Sequence, residues 1–273
     1  VEALSGATGD SLKQLSDKAR EMGTTTMFSA SQSADAFSYM ALAGWDVEQM
    51  HEGIEPVLNL AAAANMDLAE ASDIVTDYLT AFGLKAEDAA HFSDAMAKAM
   101  STSNTTVEQL GEAYKNCAAT CATLGIEMED ATAVLATMAN AGVKGSEAGT
   151  ALNSILTRLA TNTKGAADKL EEYGVAVYDA QGNMNSLSSI LNGLGEIWGT
   201  LSDREQAALA KSIAGVSHYS KFQTIMLGVS EAAKEGGMSF NDYADSLRNC
   251  EGAAEEMARV MQDNLTGDIT ILD

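Results

Sequence analysis

Apolar residues recur at steps of three and four along most of this chain. Val107, Leu110, Tyr114, Cys117, Cys121 and Leu124 keep that spacing, as do Leu68, Ala71, Val75, Tyr78 and Phe82. Phe240, Tyr243, Leu247, Cys250, Ala254, Met257 and Met261 do the same. A period near 3.6 puts such residues on one helix face, so each run predicts an amphipathic helix whose stripe packs on neighbours. Between the runs a unit recurs: GWDVEQM from Gly44, NMDLAEA from Asn65, GLKAEDA from Gly83, NTTVEQL from Asn104, GIEMEDA from Gly125 and GMSFNDY from Gly237. Gly or Asn at its first place suits the left-handed residue after a helix end, and the apolar residue next packs back on that helix. Asp46, Asp67, Thr106 and Ser239 then stand at N-cap positions, with Gln49, Glu70, Gln109 and Asp242 three places on to answer them. The apolar residue before the cap and the one five later form a staple: Trp45 with Met50, Ile126 with Ala131, Met238 with Tyr243. Lys85 and Glu127 hold the cap place in two copies, which keep the staple and weaken the cap. Each unit thus stops one helix and starts another, and Trp45 reads as a buried staple residue.

Three features interrupt this pattern. Proline inside a helix removes a hydrogen bond, so HEGIEPV is expected to divide its region, with Pro56 opening the second helix. The stretch Gly174–Met184, GVAVYDAQGNM, alternates β-branched residues into an Asp and Gly turn and predicts a small β-hairpin or extended excursion. A helical run follows from Leu187, and Ser202-Asp203-Arg204-Glu205 caps another helix. At an offset of 98 residues Met40-Ala41-Leu42-Ala43-Gly44 aligns with Met138-Ala139-Asn140-Ala141-Gly142, a weak sign of duplication. The fold class expected is all-α, a compact array of short amphipathic helices with one β excursion near 174–184. In linear order this gives a helical core region over 1–173, the excursion over 174–185, a helical continuation over 186–236, and over 237–273 the start of a longer helix leading into a following region.

Composition agrees with helices: 46% of residues are hydrophobic, only 5% aromatic, and there is a single proline. The 16 Lys and Arg against 39 Asp and Glu give a net charge of −23, which repels phosphate backbones and anionic lipid, so free nucleic acid is not an expected partner. No apolar run reaches the roughly 18 residues of a bilayer span, and stable membrane insertion is not expected. The chain begins at Val1 and stops inside GDITILD, which reads as a piece of a longer protein. Three cysteines, Cys117, Cys121 and Cys250, do not make an even disulfide framework and fit a reducing cytoplasm.

Candidate chemistry is sparse. Glu48 and His51 form E-x-x-H, with Asp88 and His91 a looser echo; such pairs build di-iron centres when further carboxylates converge on them. The competing reading, a solvated face of an acidic protein, is preferred. His51-Glu52-Gly53-Ile54-Glu55 lacks the second histidine of a zinc-protease helix, and Pro56 spoils its geometry. Cys117 and Cys121 could be half a zinc site, but no second thiol pair or nearby His-x-x-x-His completes it, so buried thiols are expected. Gly193-Leu194-Gly195 with Gly199 echoes a dinucleotide loop, yet Leu194, Ile197, Trp198 and Leu201 keep helical spacing through it, and close helix approach explains the glycines. No nucleophile elbow and no phosphate-binding loop occur, and of three histidines only His218 adjoins a possible nucleophile, Ser217. The expectation is of no catalytic, cofactor-binding or metal-binding residues, no cofactor, and no enzyme activity.

The stretches Leu4–Trp45 and Leu58–Lys115, with ANAGVKGSEAGTALNSILTRL from Ala139 and GVAVYDAQGNMNSLSSIL from Gly174, closely resemble the core region of phage tail tape measure proteins. The match runs in order to about Gly215, and AAEEMARVMQDNLTG resembles the entry to that family's following helical region. The resemblance implies a structural protein of a phage or prophage tail, acting in tail assembly and length determination. It implies as partners a tail assembly chaperone, the tail tube protein, a tip or baseplate hub and copies of itself. It also implies a place in the host cytoplasm during assembly and then in the virion tail lumen, and it brings no catalytic residues. The alternative is a helical interaction module unrelated to phage, offering an apolar groove to a partner helix. A membrane-active role is a third reading, which the charge and the absence of basic helix faces oppose.

Overall fold

The computed structural model describes residues 2–234 and 238–263. Its helices are α1 (Glu2–Ser5), α2 (Asp10–Thr25), α3 (Ala30–Leu42), α4 (Val47–Ala64), α5 (Leu68–Phe82), α6 (Ala89–Thr102), α7 (Val107–Leu124) and α8 (Met128–Asn140). They continue as α9 (Gly145–Ala160), α10 (Ala166–Glu172), α11 (Leu187–Trp198), α12 (Asp203–Ala214), α13 (Tyr219–Lys234), α14 (Phe240–Arg248) and α15 (Ala253–Gln262), with a 3-10 turn at Ala86–Asp88. The described residues are all-α, without a strand or sheet.

The helix ends explain the recurring unit. At Gly44, φ is +87°, a conformation that a side chain would strain, and the Trp45 N–H reaches back to the Met40 carbonyl at 3.1 Å. The same six-residue closure joins Met66 to Ala61, Leu84 to Leu79 and Ile126 to Cys121, with Asn65 (φ 51°) in the glycine's place in one of them. The starts follow. Asp46 accepts from the Gln49 N–H and Gln49 Oε1 from the Asp46 N–H, both at 2.9 Å. Ser239 with Asp242 and Ser202 with Glu205 form the same reciprocal box. Asp67 and Thr106 cap α5 and α7 by accepting from Ala69 and Gln109. Lys85 has no acceptor to offer, but Asp88 answers its N–H at 2.8 Å, and the start is a 3-10 turn before α6. Trp45 is 8% exposed and Met50 fully buried, and the Trp45 ring lies so close to Gly53 that a Cβ there would overlap its Cζ3. Burying such side chains stabilises by about 1.5–3 kcal/mol each.

Several expectations fail for physical reasons. Pro56 lies inside α4 and does not divide it. Ile54, Val57, Leu58 and Leu60 on either side are fully buried, and their packing offsets the roughly 3 kcal/mol that a proline costs within a helix. Glu52, whose carbonyl loses its donor, is exposed, so water can satisfy it. Asn104 does not end α6 in a left-handed turn: its N–H donates to Asn140 Oδ1 and its Oδ1 accepts from Lys144 Nζ, both at 2.8 Å, so a tertiary contact fixes this corner. Met238 remains 57% exposed and buries little as a staple, while Gly237 lies outside the described residues. The hairpin expected at 174–184 reduces to one antiparallel bridge, Tyr178 to Met184. Its opening glycine is another helix stop, with Val175 N–H bonded to the Leu170 carbonyl, and the buried Val175 and Val177 pack into the core instead of extending a ladder. Asp179 then folds the turn by accepting from the Gln181 and Asn183 N–H groups. The Met40 and Met138 strings share a cause: Val143 N–H closes on Met138 as Trp45 closes on Met40. Their likeness is that of two helix ends.

Packing divides the chain into two units, residues 1–101 with 250–273, and residues 102–249. The first is built around Phe37, Met40, Met50, Ile54, Leu58 and Phe92, with α15 lying on α4. In the second, α7 and α9 pack most closely, because Gly149 leaves no room for a Cβ against the Ala113 carbonyl. Helix α8 is its central element, with ten of thirteen residues buried. Trp198 meets Phe222 edge-on at 6.1 Å.

Candidate functional site

The residues singled out for chemistry do not converge. Glu48 and His51 are both exposed on α4, and Asp88 is engaged by the Lys85 N–H. Among the described residues no three His, Cys, Asp or Glu side chains form a group that could hold a metal. His218 Nδ1 is buried without a hydrogen-bond partner, so it does not bond the Ser217 hydroxyl. Gly195 is a packing residue, since a Cβ there would stand 2.6 Å from Val229 Cγ1.

The three cysteines are buried thiols. Cys117 donates to the Ala113 carbonyl within its own helix, and hydrogen bonding with Cys121 together with burial pushes its thiol well above the usual range. A thiol that neither ionises nor meets solvent is inert. Native protein should therefore react with a thiol reagent at least tenfold more slowly than protein in denaturant, where three equivalents should label; fast labelling of all three in native buffer would show the stripes to be misplaced.

The polar groups with the most specific geometry are two buried aspartates that cap helices distant in sequence. Asp94 on α6 accepts from the Gly252 and Ala254 N–H groups at 2.8 Å, satisfying the first turn of α15, whose own cap residue is a glycine. Asp130 on α8 is fully buried and accepts from the Ser188 N–H at 2.9 Å, in the first turn of α11. Its other oxygen accepts from Arg248 Nη2 at 2.6 Å. Burial alone would lower the Arg248 guanidinium, but hydrogen bonds to Glu127 and Asp130 outweigh it and hold the group above its usual range. At the opposite pole of a helix, Arg158 on α9 donates Nε and Nη2 to the Ser212 carbonyl in the last turn of α12. Unpaired amides at a helix start and unpaired carbonyls at its end are here answered by charges of the matching sign. Tyr114, buried in α7, bonds the Thr132 hydroxyl of α8, and burial raises its phenol well above the usual range. What these charges do is hold helices together.

The surface offers an acidic groove of about 670 Å³ in the first unit, lined by Glu52, Glu55, Glu87, Asp94, Glu251 and Glu255 with His91. Asp94 within it is already occupied by the start of α15. No described helix is long and apolar enough to cross a membrane.

With helices ended by a repeated turn, joined by buried charges and bearing no assembled chemistry, the relatives of the sequence carry the assignment. Residues 16–215 match the family of phage-related minor tail proteins. The chain is 35% identical over 269 residues to a tape measure protein of Pneumococcus phage Dp-1, covering 98% of this chain and 23% of that protein. It is 28% identical over 272 residues to a probable tape measure protein of Escherichia phage P2, covering 98% of this chain and 33% of that one. No solved structure matches it. The chain thus spans 23% and 33% of the length of these two relatives, and the reading as an interaction module unrelated to phage gives way. The chain belongs to the phage-related minor tail protein family, and it corresponds to a region of the phage tail tape measure proteins.

Proposed function

We propose that this region acts in tail assembly as the folded part of a tape measure protein, and that tail length is measured by longer helices elsewhere in that protein. The observation that carries the reading is helix length. A single straight helix of 273 residues would span about 410 Å at roughly 1.5 Å per residue. The longest described helices, α4 and α7, have 18 residues each and reach only about 27 Å. Turns that reverse the chain this often make packed surfaces, which suit docking to proteins: a tail assembly chaperone, the tube protein, a tip or baseplate hub, or further copies. The work is structural and not enzymatic, first in the host cytoplasm and then in the tail lumen. The net charge of −23 keeps such a protein from binding free nucleic acid during assembly. A stop codon at the position of Trp45 in the intact phage should leave lysates without complete tails, and a tryptophan-inserting suppressor should restore them. Normal tails without suppression would end the proposal.

A further inference from the structure

Against the charge of the whole molecule, one hollow in the second unit is basic. Its volume is about 290 Å³, and Arg158, Lys164, Lys169 and Lys211 line it together with Ser212, with no carboxylate among the lining residues. The protein has 16 cations for 39 acids, and cations such as Lys13, Lys115 and Arg259 pair with acidic neighbours. None of these four makes an ion pair within 4 Å with another described residue, even though Asp168 is adjacent to Lys169 in sequence. They come from three separate elements: Arg158 from α9, Lys169 from α10 and Lys211 from α12, with Lys164 in the turn between α9 and α10.

Two further observations single the hollow out. Ser212, a lining residue only 5% exposed, has a buried hydroxyl without a hydrogen-bond partner among the described residues, while its carbonyl holds Arg158. Lys164 has φ +56°, a conformation that side chains of its kind rarely adopt. Asn162 in the same turn is also left-handed, but it has a local reason, since its Oδ1 accepts from the Ala167 and Asp168 N–H groups. Lys164 makes no such bond among the described residues, and it lines the hollow. Arg158 is fixed by donating Nε and Nη2 to the Ser212 carbonyl, which leaves Nη1 free.

We propose that this hollow binds a phosphate group. Four cations with no ion pair among the described residues fit a small, multiply charged oxyanion. The molecule's net charge repels anions at long range, so capture must come from close contact in a partly enclosed site.

The test is calorimetric titration of the intact protein at low salt with inorganic pyrophosphate, with a short oligothymidylate and with hexaglutamate. Saturable one-to-one binding of pyrophosphate is expected, weakening as salt is raised. The double variant Lys169→Gln, Lys211→Gln should lower the affinity at least tenfold. Lys13→Gln with Lys115→Gln, which removes as much charge elsewhere, should leave it within twofold. Circular dichroism identical to the parent shows that each variant is folded. Binding of oligothymidylate with the same lysine dependence, and of pyrophosphate only weakly, would place the phosphate on a polymer and still support the site. No saturable binding of either phosphate probe, equal loss in both double variants, or tighter binding of hexaglutamate would overturn it.

Discussion

Replacing Asp130 with alanine should destabilise the unit of residues 102–249 by about 2–4 kcal/mol. The side chain is fully buried and joins three elements: it stands on α8 and accepts from the Ser188 N–H at the start of α11 and from the Arg248 guanidinium at the end of α14. Alanine would leave the Ser188 N–H buried without an acceptor. It would also leave Arg248, whose side chain is 27% exposed, with only Glu127 and Asp245, both mostly in water. That partial exposure is why the lower part of the usual range for breaking a buried pair applies. Asp130→Asn keeps one acceptor for the Ser188 amide but turns an NH2 toward Arg248, losing the charge and that hydrogen bond, so its cost should be smaller than that of alanine while still measurable. Urea unfolding gives the size of the loss, and hydrogen exchange resolved along the chain should show it in α8, α11 and α14 together. If Asp130→Ala shifted stability by less than about 0.5 kcal/mol, as ordinary surface changes do, the aspartate would not be the joint described here.

Local structure was largely legible in the sequence because its causes are local. A glycine or asparagine after an apolar stripe, an apolar residue next and an oxygen-bearing side chain after that specify a helix stop and start within seven residues, and Gly44 to Met50 does what that chemistry dictates. Gly142 and Gly174 end helices in the same way, although their units lack the cap residue that marks the other copies. Where the reading failed, the deciding interaction came from far along the chain. Pro56 stays inside a helix because residues on both sides are gripped by the core, and Asn104 is held by residues beyond position 139. The valines after Gly174 suggest a strand by type, but packing claims them. Asp94 and Asp130 carry no mark that separates them from the solvated acids around them, since a buried cap for a helix elsewhere has no sequence period. The basic hollow is hidden for the same reason: its cations are spread from position 158 to 211 and meet only through the folding of α9, α10 and α12. Membership in the tail protein family was legible from long composite stretches, while which helices face one another was not.

The largest effect is expected from an in-frame deletion of Gly125 to Gly142, which should abolish tail assembly and not shorten the tail. It removes α8 with both of its flanking turns. Met128, Val134, Leu135 and Met138 are each at least 96% buried, and losing their packing alone forfeits about 6–12 kcal/mol, as much as the whole stability of an ordinary domain. Partners that α8 now covers would be left facing water, among them Tyr114 with its hydroxyl on Thr132, Ser188 and Arg248 on Asp130, and Gly228 against Thr137. A ruler made of continuous helix behaves differently, because shortening it removes length without uncovering a core; here it would trim the tail by about 27 Å. Electron microscopy of phage carrying the deletion separates the two. Loss of tails, with the truncated protein degraded or aggregated in the lysate, is the outcome expected of a packed unit. Viable particles with tails shorter by that increment would mean that these residues lie extended along the tube, and that the turns at Gly125 and Gly142 open during assembly.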